Sequence, residues 1–343
     1  MNRCVITPTY KNHFPFIERY LESFEKYLQD KDFPIFFVVN RDEKAEFDSV
    51  VEPYQKSLNL SILVFEDVLA HQGIIESPQQ ILDDLGRLSF QTIKKFFSAL
   101  YIGAEQFLVL DSESIMISNT NLNELFDRYF SMPEFFLSQV NDRPKKFKDG
   151  FTYAFVTLAS ELTHYPPIYW PLESYNWFLD LKILKKMIEQ YGNLYDRICE
   201  LKLPKKFHDE GIEGELLYYP YIIHTPGQFG YQAYNTLDEL KKYIGWVETW
   251  KFKIRFSKSW RAHGGYLEGL ACFVTQKNVN GLVRMLQNHC MPILRISRVI
   301  NKDLSCLDLK SQMELVERSG VKILASSYTQ HYYDKYVSAE TQK

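Results

Sequence analysis

No stretch of this sequence approaches the roughly 18 consecutive apolar residues that a membrane-crossing helix needs. Cysteine is sparse. Cys4, Cys199, Cys272, Cys290 and Cys306 are scattered, odd in number and without CxxC spacing. That excludes a disulfide framework and a cysteine-built zinc site, and it fits a reducing, cytoplasmic compartment. The phosphate-binding glycine motifs are missing as well. There is no GxGxxG and no GxxxxGK[ST], and the first predicted strand runs into TPTYKNH without a glycine, which argues against dinucleotide-binding and P-loop folds. The absence of GxSxG removes the serine-hydrolase elbow. Charge of one sign is also lacking, since the net value is -3, so nothing points to a nucleic-acid partner. The basic clusters Arg143–Lys148 and Lys202–Lys206 are short and read as solvated loops. The chain opens on a predicted strand, and no signal peptide is expected.

The 343 residues, 45% hydrophobic and 24% charged, have the composition of a globular chain able to bury a sizeable core, with disorder expected only at the ends. Aromatics reach 15%, with 25 Phe and 23 Tyr. Such an excess builds thick cores, or clefts that stack on flat ligands and sugar rings.

Buried strands are expected at Arg3–Thr7, Pro34–Asn40, Leu60–Phe65 and Gln106–Leu110. Helical spacing intervenes at Phe14–Leu28, weakly at Asp42–Ser57, and at Leu88–Ile102. These strands are continuous apolar runs alternating with helices, which predicts a mostly parallel α/β sheet covered on both faces. Ligands bind such sheets beyond the carboxyl ends of the strands. Thr7–Tyr10, Asn40–Asp42, Glu66–Asp67 and Asp111–Glu113 are therefore expected to meet in one cleft. Farther along, strand-like pieces occur at Phe135–Val140 and Tyr153–Leu158, and helices at Asp180–Tyr191 and within Ile212–His224. Residues 271–343 read as a mainly helical extension, with one strand around Ile293–Val299.

The most informative segment is FLVLDSESIMI, Phe107–Ile117. Two acids at i and i+2 beyond a buried strand, with the small Ser112 between them, suit a divalent cation. Mn²⁺ and Mg²⁺ take oxygen ligands and leave positions for phosphate oxygens. A cation held there can neutralise a departing diphosphate. The plain alternative is that Asp111 opens an Asx-type turn and Glu113 faces water.

The layout CVITPTY at Cys4–Tyr10, followed by FQTIKKFFSALYIGAEQFLVLDSESIMI at Phe90–Ile117, resembles the GT-A nucleotide-sugar glycosyltransferases. More narrowly, it resembles a bacterial family of uncharacterised GT-A-like proteins in which a helix bearing Gln and Lys precedes an LDxD motif. The likeness covers about residues 3–120 well and 205–265 loosely. Here Asp111-Ser112-Glu113 departs from DxD by Glu113, which keeps the charge. The resemblance implies a GT-A domain over 1–270 and a metal site, Mn²⁺ or Mg²⁺, at Asp111 and Glu113. It implies a donor pocket from Thr7, Pro8, Tyr10, Asn40, Arg41, Arg87, Gln91, Lys94 and Ser112, with Tyr10 stacking on the base.

It also implies a general base at the start of a later helix, and FHDEGIEGELLYYPYI offers Asp209, Glu210, Glu213 and Glu215. Glu215 is the first choice and Glu213 the second. First-turn acids also occur without any such role. A late histidine, His263 in RAHGG, is a candidate metal ligand, with Trp260 and Arg261 beside it. Trp170, Tyr175 and Trp177 form a candidate acceptor wall, against the competing role of core packing. The implied function is transfer of a sugar from a nucleotide-sugar donor to a glycan or lipid-linked glycan in capsule or lipopolysaccharide assembly. A lipid-linked acceptor is compatible with peripheral contact at the inner face of the membrane, though no basic amphipathic helix is legible. The alternatives are a non-catalytic carbohydrate- or nucleotide-binding protein on the same fold, or a nucleotidyltransferase.

Overall fold

The computed structural model describes residues 1–143, 145, 151–174, 176–201, 211–258, 265–267, 269–295, 308–325 and 330–338. A five-stranded central sheet has the order β3-β2-β1-β4-β8, made by Arg3–Pro8 (β1), Ile35–Val39 (β2), Leu60–Val64 (β3), Gln106–Val109 (β4) and Phe178–Asp180 (β8). The first four strands run parallel, with Val5 opposite Ile35 on one side and Leu108 on the other, and β8 pairs antiparallel with β4. Helices Phe14–Tyr27 and Arg87–Ile102 join and flank them. The chain is thus a mixed α/β protein on a mostly parallel sheet. The parallel arrangement follows from the strands themselves: every residue of β2 is buried, as a sheet covered on both faces requires.

Strand order sets the site. From β1 the chain moves outward to β2 and β3, then returns to β4 on the opposite side of β1. The connections leaving β1 and β4 therefore diverge, and a crevice opens beyond their carboxyl ends.

Two smaller sheets complete the fold. Glu134–Gln139 (β6) lies between Tyr169–Trp170 (β7), antiparallel, and Gln232–Asn235 (β9), parallel. Ser114–Met116 (β5) pairs antiparallel with Ile323–Ala325 (β11), which pairs in parallel with Ile293–Arg295 (β10). Within the stretch expected to be mainly helical, then, two short strands accompany the helices Val279–Asn288, Leu309–Arg318 and Gln330–Tyr336. The first, β10, falls within the strand expected around Ile293–Val299, whereas β11 is a three-residue strand with too little periodicity to be read in sequence. The second apolar core draws on both sides of residue 270, since Leu237, Phe252, Phe256 and Tyr266 pack with Leu282, Leu315 and Leu324.

The segment Tyr153–Leu158, expected as a strand, instead lies within the helix Phe151–Thr163. Its Phe and Val residues suggested β structure. The buried positions Phe155, Leu158, Ala159 and Leu162 fall at helical spacing, and this face packs on the Glu215–His224 helix.

Two buried ionic assemblies tie the parts together. Arg143 pairs with Glu173 at 3.0 Å, both side chains fully buried. Glu173 also accepts the backbone N–H groups of Tyr266 at 2.5 Å and Leu267 at 3.3 Å, and the Arg143 guanidinium lies 4.3 Å from the Tyr266 ring centroid. Burial raises the Glu173 carboxyl above its ordinary value, against the opposing pull of Arg143 and these donors. The second assembly is His289, whose Nδ1 lies 3.1 Å from Glu134 and whose Nε2 lies 2.9 Å from Glu239. Burial acts to lower its pKa, but the two carboxylates prevail and the net shift is upward from 6.5.

A raised folded-state pKa stabilises the fold fully below 6.5 and loses that effect as pH rises through the folded value. The stability advantage of the native chain over His289→Gln should therefore be greatest at mildly acid pH and shrink steadily into the alkaline range. Urea unfolding of both proteins across that range checks this; an advantage that stays constant would contradict it.

Candidate functional site

Beyond the carboxyl end of β4 the chain makes a tight turn, in which the Ser114 N–H donates to the Asp111 carbonyl at 2.9 Å. It then enters β5, in a different sheet. Asp111-Ser112-Glu113 is thus the junction between the central sheet and the small C-terminal sheet. Ser112 is buried, while Asp111 and Glu113 are half-buried. From the end of β1, His13 reaches across with Nδ1 2.6 Å from the Ser112 hydroxyl, and its ring packs against Tyr10 at a centroid distance of 4.2 Å. Burial lowers the His13 pKa and the nearby Asp111 charge opposes it. Tyr10 remains 42% exposed at the rim. Burial raises the Tyr10 pKa, as do the charges of Glu113 and Glu43, while Arg87 pulls the other way.

Cations sit beneath and beside the acids. On the Arg87–Ile102 helix, Arg87, Gln91, Lys94 and Lys95 share one face at i, i+4, i+7 and i+8. Lys94 is buried, and its ammonium donates to the Thr9 carbonyl at 2.9 Å and to Asn40 Oδ1 at 3.4 Å. Desolvation lowers its pKa to about 8, although the charges of Glu43, Glu66 and Asp42 act against the shift. Its neighbour Lys95 donates to Glu215 at 3.1 Å and stands 4.0 Å over the Trp177 ring. Desolvation would lower this amine too, but Glu215, Asp111 and Glu213 together outweigh it and its pKa rises. Arg295, the last residue of β10, is brought to the same place. Its opposite number is Ala325, which in turn faces Ser114 of the acidic turn. Burial lowers its pKa, the charges of Asp111 and Glu113 raise it, and Arg87 adds repulsion.

The 211–215 stretch is stitched to the same helix. Ser89 accepts the Ile212 N–H at 3.0 Å and Thr92 donates to the Ile212 carbonyl at 2.8 Å. Gly214 permits the close approach, since a Cβ there would meet the Phe96 ring at 2.6 Å. Glu215 then begins the Glu215–His224 helix, completely buried, with no hydrogen-bond partner for its Oε2 among the described residues.

The expected residues separate into three sets. Tyr10, Arg87, Asp111, Ser112, Glu113, Glu213 and Glu215 are brought together; Trp177 lies under Lys95 but is buried, so it forms core there and not an open acceptor wall. Pro8, at the end of β1, is half-buried, as are Gln91 and Asn40, and Asn40 is held by Lys94. Three others do not reach the cleft. Thr7 is fully buried with its hydroxyl 3.4 Å from Tyr20, because the alternation of β1 turns it toward the Phe14–Tyr27 helix. Arg41 is exposed and pairs with Asp67, while its N–H donates to Glu66 at the end of β3. Trp170 is buried, and its indole N–H donates to the Leu172 carbonyl at 3.1 Å, so it belongs to the core and not to an open wall. Tyr175 and His263, with Asp209, Glu210, Trp260 and Arg261, lie outside the described residues.

His13, Lys95 and Arg295 join the site without belonging to the expected set. His13 follows the end of the first strand by only five residues, and that proximity is its one sequence signal. Lys95 adjoins Lys94 on the helix, and both are buried. No sequence signal connects Arg295 to Asp111.

Breaking a fully buried ion pair leaves an uncompensated charge and costs about 3–5 kcal/mol. Lys95→Met should destabilise the chain on that scale, and combining it with Glu215→Leu should restore much of the loss. Equal losses in the single and double variants, measured by urea unfolding, would deny that the two side chains act as a pair.

No family model and no curated protein matches the sequence. Among solved structures, the chain is similar to the apo form of mouse xyloside xylosyltransferase 1, at 10% identity and a TM-score of 0.41 over 69% of this chain and 86% of that one. It is similar to the apo WbbM bifunctional glycosyltransferase at 12% identity and a TM-score of 0.41, over 98% of this chain and 49% of that one. It is also similar to core-mannan synthase A of Aspergillus fumigatus in its Mn/GDP form, at 11% identity and a TM-score of 0.34, over 69% and 73% of the two chains.

Proposed function

We propose that the chain is a metal-dependent glycosyltransferase of GT-A type that moves a sugar from a nucleotide-sugar donor to a glycan or lipid-linked glycan acceptor. One observation carries this reading: two carboxylates on a turn beyond a parallel strand, with Arg295 carried to that turn by the β10–β11–β5 pairing so that it feels both acids, and with Arg87 near enough to repel it. Carboxylates of opposite placement to a basic rim suit a ligand that is itself a metal–diphosphate. The acceptor's place in capsule or lipopolysaccharide assembly follows the resemblance of residues 3–120 alone.

The donor set fits the ion. Asp111 and Glu113 offer hard oxygens, which Mn²⁺ or Mg²⁺ accepts. Among the described residues no group of three or more His, Cys, Asp and Glu gathers to hold a metal, and such ions complete their shell with phosphate oxygens and water. When bound, the ion supplies neutralisation of the departing diphosphate. Arg87 and Arg295 add charge-assisted hydrogen bonds to the phosphate oxygens. Tyr10 covers the base at the rim. Ser112, between the two acids, is held by His13.

In the transfer, the bond between the sugar's anomeric carbon and the phosphate oxygen breaks, and a bond to the acceptor oxygen forms. The acceptor proton passes to a carboxylate, and the nucleoside diphosphate leaves with the bonding pair. Glu213, half-buried near Lys95, suits the proton better than Glu215. Glu215 is fully buried and committed to Lys95, where it sets the charge beneath Asp111.

Release of nucleoside diphosphate from a panel of nucleotide sugars with Mn²⁺ tests the reading. Asp111→Asn should lower the rate at least about 100-fold without changing the melting temperature, and chelation should do the same to the native chain. Undiminished release by this variant would reject the assignment. Arg295→Gln should raise the donor KM about tenfold with a smaller effect on kcat. An unchanged KM would remove Arg295 from the donor site.

A further inference from the structure

The Thr236–Lys258 helix is interrupted at Gly245, whose φ of 78° and ψ of 163° are open to glycine and strained for other residues. A Cβ at this position would meet nothing within 4 Å, so the glycine serves the bend and not packing. The bend gives the second half, residues 246–258, its own direction. That half buries Thr249, Phe252 and Phe256. Its outer face carries Trp246, Val247 and Trp250 at 67%, 55% and 53% exposure, with half-buried Ile254 continuing the stripe one turn on. Two exposed tryptophans four residues apart are a costly surface in water.

Lys251 and Arg255 flank this stripe on one side and Lys253 on the other, as helical geometry requires. Only Glu248 opposes them, and it pairs with Lys251 at 2.7 Å. The segment is therefore basic, although the whole chain carries -3. Tryptophan seated among aliphatic residues, edged by cations, matches the region between lipid headgroups and acyl chains. The length, about 20 Å for 13 residues, suits a helix lying flat on that region. Among the described residues no helix is long and apolar enough to cross a membrane.

We propose that the outer face of residues 246–255 is a docking surface that seats the protein on an anionic bilayer. The inference deepens the transferase reading by naming where a lipid-linked acceptor is met, yet the surface itself does not depend on sugar transfer. Its buried side packs Phe256 against Tyr266, with ring centroids 4.6 Å apart, and Arg143 lies 5.3 Å from the Phe256 ring. The same apolar core includes Leu294 and Leu324, residues of the strands that carry Arg295 to the acidic turn. Docking surface and candidate site thus share one rigid support.

Cosedimentation of the full chain with vesicles tests this. Binding is expected to vesicles with about 30% phosphatidylglycerol, to weaken in high salt, and to be much lower on pure phosphatidylcholine. Trp246→Ser combined with Trp250→Ser should lower partitioning at least about tenfold, and so should charge reversal at Lys253 and Arg255. Both sets lie on the surface, so melting temperature and donor hydrolysis should match the native chain. Loss of donor hydrolysis in Asp111→Asn concerns the transferase reading alone, and vesicle binding is measured without donor. The proposal is overturned if the tryptophan variant sediments like the native protein. It is equally overturned if the native chain does not sediment with the anionic vesicles; conversion of a dimer to a monomer by the same variant in size-exclusion chromatography would then make the face an interface between copies.

Discussion

The acidic turn hangs between two sheets, and the rest of the site depends on that position. β4 ends in the central sheet, and β5 begins at once in the C-terminal sheet. Only four residues, Leu110 to Glu113, span the change. Because the turn is anchored on both sides, each sheet delivers its own charges to it. The central sheet brings His13 and, through the helix behind it, Lys95 and Arg87. The C-terminal sheet brings Arg295. Two carboxylates this close would repel one another in a partly desolvated place. The surrounding cations make the arrangement sustainable.

Lys94 and Lys95 show how strongly environment decides chemistry. They are adjacent on one helix and both buried, yet burial wins for one and charge for the other. Lys94 touches a carbonyl and an amide oxygen, with carboxylates only at a distance, so it is drawn down to about 8. Lys95 has Glu215 in direct contact and is raised. Lys94 therefore works as a brace between the ends of β1 and β2, joining Thr9 to Asn40. Lys95 works as a fixed positive charge under Asp111. Surface pairs such as Arg197–Glu200 contribute at most about 1 kcal/mol each and play no comparable part.

Much of the central sheet was legible in sequence, because four continuous apolar runs separated by helical spacing leave few other arrangements. The location of Asp111 followed from the same logic, since ligands gather where such strands end. Individual side chains were harder. Thr7 and Arg41 sit at strand ends as expected, but the pleat turns Thr7 inward and Asp67 draws Arg41 outward. Trp170 looked like a sugar-stacking residue by type, and its burial came from the pairing of β7 with β6. The 151–163 helix was misread because Phe and Val carry β preference, whereas the stripe formed by Phe155, Leu158, Ala159 and Leu162 found a helical partner.

By itself, the sequence determined the order of the strands along the chain, their burial and the acid pair at the end of the fourth, because these depend on local periodicity and on side-chain type. Tertiary structure alone decided which distant cations meet that pair. Arg295 stands 182 positions beyond Glu113, and only the register of β10, β11 and β5 brings them into one field. It also decided that Trp246 and Trp250 remain outside, because the bend at Gly245 and the burial of Phe252 and Phe256 fix which face of the helix turns to solvent. Long-range pairing carries no trace in local spacing, and that is where the two kinds of knowledge divide.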